Sequence, residues 1–589
     1  MSFFDDASLV FLPSGQAGKD GKAYSMKPTN GDGDFTFSRG SNLTATRVDS
    51  NGLIEKGREN LLKNSNSFNP SGTAWNPTTG YTFTSGQEGY DGSNNAWLLD
   101  KLNTLNDYFQ QRSIVGMSGN VVTESVYAKA GTEVGLMIFN PNGYARWNLS
   151  NGTLISEGGN PITSSIESVG NGWYRCSLTV DGDSSYDRMM IKVVDSNAAD
   201  SSGSIYIQDA QLELGLVATE YIESGATTGL AGILEDSPRF DYSGGASCPS
   251  LLLEPSRTNL LQSEYFDGWN LFNEMTPTAN NATSPEGLQN AYKMETTAAG
   301  AYFRDAQTLT AGNNVFSIFV KRGNSQYIFL RTRFFTGGDN ADVWFDVQNG
   351  TKGGNLGDSV TYDIEDYGNG WYRCYLVHNV DAGDLFGYAY VGLTNTDEDT
   401  SGESSLNGYF YGGQWEEGSY PTSYIPNHSG GSVTRAADVN TLLNQSGVIG
   451  QTAGTILFDA YFDEADKVNF SISDSTSSNY ILIDTTSGKQ VFARVQQGGS
   501  TQATISTSGS FFTEGDRLKC AIAYDDRDMA FYINGTQVGT AAPNLIPACD
   551  DIRFTRWNGA LAYAADQRVN RVVLFDTRIS NGNLATLTS

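Results

Sequence analysis

Residues 170–176 read GNGWYRC, and residues 368–374 repeat them letter for letter, 198 positions further on. How this stretch is read decides the fold. Asn-Gly supplies the backbone angles of a tight turn, and the strand that follows puts Trp and Arg on one face, Tyr and Cys on the other. Catalysis at the motif would need a matched base or second carboxylate beside both copies, and none recurs. A buried tryptophan contributes about 2–3 kcal/mol of apolar transfer, which is reason enough for its repetition. Trp173, Trp371, Cys176 and Cys374 are therefore read as structural core, the cysteines as small buried hydrophobes in separate domains.

Working outward, RENLL (58–62) answers RTNLL (257–261), SVYAKAG (125–131) answers SIFVKRG (317–323), and NGT at 151–153 answers NGT at 349–351. Gln211 with Tyr221-Ile222 likewise answers Gln414 with Tyr424-Ile425. The order is kept and only loop lengths differ, which is the mark of a tandem duplication. Short alternating runs punctuated by Asn-Gly, Asp-Gly and Gly-Gly predict a β-sandwich or jelly roll in each copy. The last 160 or so residues carry a different meander (454–462, 480–486, 489–496, 517–540 and 570–580), with hairpin turns at 525–528 and at Asn534-Gly535.

Composition agrees. In 589 residues there are 30 Tyr, 30 Phe and 66 Gly against 37 Lys plus Arg, a stock for pleated strands and tight turns. A formal charge of −29 repels a phosphate backbone, so nucleic acid is excluded as a partner, and the charge reads as solubility. Five cysteines form no disulfide framework. The start, MSFFDDASLVFLPSG, lacks a basic n-region, and no run is long enough for membrane insertion, so synthesis in the cytosol is expected. The Gly15, Gly18, Gly21 spacing is too short and proline-poor for a collagen helix and reads as a Gly-rich loop. Each joint between domains carries an arginine close to an aspartate: Arg47 with Asp49, Arg239 with Asp241, Arg435 with Asp438. An ion pair stiffening the hinge and a solvated turn are both open readings.

The joints carry a resemblance. PRFDY (238–242), LLLEPSRTNLL (251–261), SEYFDGW (263–269), FTFSRGS (35–41) and VDSNGLI (48–54) resemble segments of bacteriophage tail and other virion structural proteins, where they introduce carbohydrate-binding-module-like jelly rolls. FYINGTQVG (531–539) and LFDTRIS (574–580) resemble a laminin-G or concanavalin-A-like lectin sandwich. The likeness covers roughly residues 28–589; residues 1–27 match no such module, and Glu55-Lys56-Gly57-Arg58 departs from the more typical Glu254-Pro255-Ser256-Arg257. It implies an all-β chain: an N-terminal attachment segment and joint (1–59), a first jelly roll (60–223), a joint (224–258), a second jelly roll (259–427) and a concanavalin-A-like sandwich (428–589). It also implies a fibre, spike or capsid-attached appendage exposed on the virion, held to other virion proteins through its N-terminal segment. Such a protein would bind host-surface glycans without catalysis, as a homo-oligomer such as a trimer.

Sugar binding asks for aromatic rings with polar partners nearby. In the second copy, Tyr302 and Arg304 fit, with Tyr327, Arg331 and Arg333 on one face of QYIFLRTRFF (326–335). In the first copy, Tyr108, Arg112 and Trp147 are the candidates, and in the closing domain Arg556, Trp557 and Tyr563. Packing or oligomer contact is the competing role for each. Two histidines, His378 and His428, and no cysteine pair at ligand spacing argue against a zinc site or a Ser-His-Asp triad. No cofactor is expected. Asp32-Gly33-Asp34 and other acidic loops offer oxygen ligands for structural calcium without completing a site. The carboxylates open to glycoside hydrolysis are Asp463-Glu464, Glu416-Glu417 and Asp526 with Asp528. Adhesion therefore has two rivals: a purely architectural capsid or tail decoration, and a polysaccharide depolymerase.

Overall fold

The computed structural model describes residues 3–14, 21–41, 43–70, 74–77, 80–182, 187–269, 271–334 and 340–589. Gly15 and Gly18 of the Gly-rich stretch lie outside them. The described residues are nearly all β, and they include one α-helix, Asn581–Thr588.

Each GNGWYRC copy makes the hairpin its letters ask for. Asn171 and Gly172 take positive φ of 52° and 78°, and so do Asn369 and Gly370, at 52° and 78°. This is the twist-matched turn that joins two adjacent antiparallel strands. In the first copy, Pro161–Gly170 runs into Trp173–Asp181, and the sheet continues through Val121–Ala130, Gly203–Leu214, Ala96–Lys101 and Tyr81–Gln87. Facing it lie Thr153–Gly159, Gly143–Asn148, Gly135–Phe139, Met189–Val194, Phe109–Gln111 and Trp75–Pro77.

The second copy repeats both sheets strand for strand. One runs Thr361–Asp366, Trp371–Val380, Gly312–Arg322, Asn407–Glu417, Ala291–Thr296, Met275–Ala282. The other runs Thr351–Gly357, Asn340–Asp346, Tyr327–Phe334, Phe386–Thr394, Tyr302–Thr308, Leu271–Asn273. Even the irregularities are duplicated. A bulge between Ser125 and Tyr127 is matched by one between Ser317 and Phe319, and the partner strand there turns through positive φ at Asp209 (52°) and Gly412 (63°).

A buried asparagine anchors the entry of each sandwich. The Asn60 amide donates to the carbonyls of Ala210 (3.1 Å) and Ile222 (2.8 Å) and accepts from the Leu62 and Leu212 amides. Asn259 does the same with Gly413, Ile425, Leu261 and Trp415. Four backbone groups that strand pairing leaves open are thereby satisfied.

The motif residues occupy two sides of their sheet. Cys176 and Cys374 face the sandwich cores. Trp173 (1 % exposed) and Trp371 (2 %) are buried on the opposite face, in satellite clusters with Ala96 and Tyr127, and with Ile54, Phe319, Tyr411 and Tyr424. Alternation puts the arginine beside the tryptophan, and Arg373 donates to the Thr422 carbonyl (2.7 Å) and the Ser317 hydroxyl (3.0 Å) under the departing chain. The tryptophans thus seal the face of their own sheet that turns away from the sandwich core and do not bridge the two sheets.

The closing sandwich contains the expected meander and hairpins, with Asp525 opposite Asp528 and Asn534-Gly535 at positive φ. Its two eight-stranded sheets also recruit distant chain. Leu9–Phe11 and Ser250–Leu253 both pair with Gln567–Phe575, and Arg239–Asp241 extends that sheet. Lys22–Ala23 and Phe35–Ser38 join the other sheet through Val439–Leu442. Leu9, Phe11, Phe35, Phe37, Leu251 and Leu253 are core residues there. Leu9–Phe11, Lys22–Ala23 and Phe35–Ser38 of the expected attachment segment, and Arg239–Asp241 and Ser250–Leu253 of the expected joint, thus pair in the sheets of the closing sandwich, while Thr46–Val48 pairs with Ile54–Lys56 and Arg58–Asn60 with Gly229–Ala231 outside them. The reason is plain: these strands are only two to four residues long, Leu9–Phe11 and Ser250–Leu253 are buried at every position, and each needs a larger sheet to complete it.

The joint arginines find other partners than their sequence neighbours. Arg239 pairs with Asp438 and with Glu254 (2.6 Å), Arg435 with Glu254 (2.7 Å), and Arg39 with Asp438 (3.1 Å), all fully or almost fully buried. Asp241 instead accepts the Val48 amide, Asp49 caps its own turn, and Arg47 pairs with Glu55 (2.7 Å). Burial raises the Glu254 carboxyl, but Arg435 and Arg239 outweigh it and hold it well below its usual range. A second buried knot, Lys56 with Glu264 (2.6 Å) and Glu286 (3.0 Å), clamps the first joint to the second sandwich, with Tyr411 and Tyr424 donating to Glu264. No described helix is long and apolar enough to cross a membrane.

Candidate functional site

Strand alternation sends Ile328, Leu330 and Thr332 inward and leaves Tyr327, Phe329, Arg331 and Arg333 on the outer face of their sheet. Antiparallel register then lines up Arg304, Tyr390, Arg331 and Asp342 as direct cross-strand neighbours over four strands. The next row is Ala306, Tyr388, Arg333 and Asn340. Three arginines and two tyrosines therefore meet on one patch, with Tyr302 edge-on to Tyr390 at 5.0 Å and Phe386, 44 % exposed, at its border.

The charges are unevenly matched. Asp342 takes Arg331 in a two-point contact (2.6 and 3.1 Å) and also Arg333 (2.9 Å). Arg304 donates to the Tyr390 hydroxyl and lies 4.1 Å from the Tyr388 ring centroid and 5.0 Å from that of Tyr390. Among the described residues no carboxylate pairs with it. Tyr388, Arg304, Arg331 and Arg333 stay half-buried, so the patch is open to a ligand from solvent.

Of the expected residues, Tyr302, Arg304, Arg331 and Arg333 come together. Tyr327 stands apart opposite Asp346, separated from the arginine row by the buried Phe329 and Trp344 pair. Gly392 leaves the space that the Phe329 ring fills, since a Cβ there would lie 2.2 Å from it. Tyr388, Tyr390 and Asp342 were missed. GYAYV (387–391) carries the same alternation, but only register shows that it lies beside Arg331.

In the first sandwich the matching cross-strand row is Gln110, Met190, Phe139 and Tyr144. Both arginines of the row are absent. Tyr108 packs edge-on against Phe139 at 5.3 Å, and Arg112 is exposed. Trp147 corrects the sequence reading: at 0 % exposed it sits in the core, because the alternation of Gly143–Asn148 turns Ala145 and Trp147 inward, Tyr144 and Arg146 outward. Burial pushes the Asp209 carboxyl up to about 6, despite a bond from the Tyr90 hydroxyl (2.9 Å), with Asp91 and Glu223 adding to the rise.

In the closing sandwich Arg556 is held between Tyr563 (3.6 Å to the centroid) and Trp557 (4.5 Å), and Trp557 stacks on Tyr480 at 4.4 Å. The three expected rim residues do meet. Beside them a cavity of about 220 Å³ opens between Leu253, Asn440, Phe554 and Ala565.

Four of the six carboxylates considered for hydrolysis are engaged, and Glu417 and Asp526 are exposed. Asp463 pairs with Arg568 (2.9 Å), Glu464 with Lys467 (3.4 Å), Asp528 with Arg578 (2.9 Å), and buried Glu416 accepts from Gln414 and Thr422. Asp32 and Asp34 bond within their own loop, to Asn30 and Ser25. Among the described residues no group of three or more His, Cys, Asp or Glu could hold a metal ion.

No family model matches the chain, and no curated protein matches it. Among solved structures, it is similar to the CBM40 of a Ruminococcus gnavus IT-sialidase bound to α2,3-sialyllactose, at 15 % identity over 24 % of this chain and 84 % of that one, TM-score 0.22. A tandem CBM22-1–CBM22-2 from Paenibacillus barcinonensis Xyn10C is similar at 10 % identity over 65 % of this chain and 100 % of that one, TM-score 0.21. A SAP-like pentraxin from Limulus polyphemus is similar at 16 % identity over 24 % and 70 %, TM-score 0.19. At these identities and scores the likenesses bear on neither ligand nor activity.

Proposed function

We propose that the chain is a non-catalytic adhesive appendage of a bacteriophage particle, and that the Tyr–Arg face of its second sandwich holds host-surface or environmental glycans. The observation that carries this reading is the patch itself. Half-open Tyr302 and Tyr388 offer ring faces for the apolar side of a sugar, and Arg304, Arg331 and Asp342 supply donors and an acceptor for its hydroxyls. The joint motifs support a virion setting. Weak sites repeated in a symmetric oligomer would gain avidity. Buried Trp173 and Trp371, together with the engaged Asp463 and Glu416, favour binding over hydrolysis.

The test is glycan-array and host-cell binding of the full chain, with and without Tyr388→Ala. Binding that the variant loses supports the reading. Blank results for the wild type on both, with calcium present, would sink it. If a virion reconstruction shows Tyr388 and Arg304 packed against a neighbouring protein, the decoration role stands instead. Release of reducing sugar from host capsule, lost on changing one carboxylate to its amide, would establish the depolymerase.

A further inference from the structure

We infer that the glycans taken by this face are anionic, bearing carboxylate or sulfate groups; this rests on the glycan-binding reading above. The chain carries a formal charge of −29, yet among the described residues this patch gathers three guanidinium groups against one contacting carboxylate. Asp342 is already shared by Arg331 and Arg333, so among the described residues Arg304 is left with ring faces and a phenol hydroxyl. Arg304 and Arg331 flank Tyr390 on either side, two strand spacings or about 10 Å apart, so an acidic group seated over Tyr390 lies within reach of both.

A neutral sugar needs no such arrangement. Hydroxyls are served by amide side chains, and covering Arg304 with an uncharged ligand would strip water from a cation and give it no counter-charge. An acidic saccharide supplies that charge. Duplication provides an internal contrast, because the equivalent positions in the first sandwich hold Gln110 and Phe139, a neutral pair in the same fold. The half-open tyrosine rings favour a saccharide over an acidic polypeptide, which has no flat apolar ring face to lay on them.

The experiment is titration calorimetry of the full chain with a panel of uronate-, sialate- and sulfate-bearing oligosaccharides, each beside its neutral counterpart, at low and high salt. At least one charged probe should bind at least about tenfold tighter than its counterpart, with the margin shrinking as salt screens the contact. Arg304→Gln should erase the margin with an unchanged melting temperature, Arg304→Lys should keep part of it, and Tyr388→Ala should weaken charged and neutral probes alike. Neutral probes bound as tightly as charged ones, and lost in Tyr388→Ala, would overturn the anionic inference and leave glycan binding standing. Binding of no probe, or binding indifferent to both variants, would overturn both. Polyglutamate bound as tightly as the best acidic sugar would overturn the inference in favour of an acidic protein surface.

Discussion

Changing Asp438 to Asn should loosen the N-terminal strands, the second joint and the closing sandwich together. The Asp438 carboxylate accepts from Arg39 (3.1 Å), from Arg239 and from the Glu254 amide (3.0 Å), and neither it nor the two guanidinium groups has any exposed side-chain surface. Glu254 is the other anion of the knot, so three arginines already face two carboxylates. Burial, opposed by Asp438 and reinforced by Arg239, brings Arg39 down to about 10, a cation held charged at a cost. Removing one charge from a buried pair leaves the other uncompensated, and about 3–5 kcal/mol is the expected loss. Hydrogen exchange measured by mass spectrometry on peptides covering 35–38, 239–253 and 439–442 would report it, since opening should rise roughly a hundredfold to a few thousandfold, at tenfold per 1.4 kcal/mol. Asp49→Asn is the control: its carboxylate caps an exposed turn through the Asn51 (2.8 Å) and Leu53 (2.9 Å) amides, and about 1 kcal/mol or less is expected there. If Asp438→Asn costs no more than Asp49→Asn, or if protection falls in one of the three peptides alone, the claim that these segments form one cooperative unit fails.

Two further perturbations test other parts of the structure. Asp209 has a folded value of about 6, above its ordinary 3.8, so the folded state binds the extra proton between those values and stability falls as pH rises from about 4 to about 6. Asp209→Asn, tolerated at a positive φ of 52°, should therefore raise the melting temperature at pH 8 by the equivalent of roughly 3 kcal/mol, and the gain should vanish near pH 4; a gain independent of pH would refute the cause. Trp371→Ala should cost about 3–5 kcal/mol by emptying the cluster around Phe319 and Tyr424, yet leave glycan affinity of the folded fraction unchanged. Lost affinity with little lost stability would move the site to the motif.

The repeat, the strands and the hairpins were legible because each is local: a tight turn needs Asn-Gly, and a half-buried strand needs only period two. What escaped was non-local. Leu9–Phe11 and Phe35–Ser38 are too short to show a period, and their partners, Gln567–Phe575 and Val439–Leu442, lie hundreds of residues away. Arg239 sits two residues from Asp241, yet it points at Asp438 across the molecule, because sequence proximity says nothing about which carboxylate is buried with it. The site divides the same way. Alternation alone placed Arg331 and Arg333 on one face; Tyr388, Tyr390 and Asp342 required the register of two further strands. Trp147 was misplaced for want of applying the same alternation to its own strand, where it and Ala145 face the core.

The most direct measurement is a crystal structure of the full chain with the oligosaccharide that binds it best. A sugar ring laid on Tyr388 or Tyr302, with an oxygen in hydrogen-bond reach of Arg304 or Arg331, is the predicted result. Sugar bound only at the Arg556, Trp557 and Tyr563 rim or on the first sandwich, with the Tyr–Arg face bare, would contradict it.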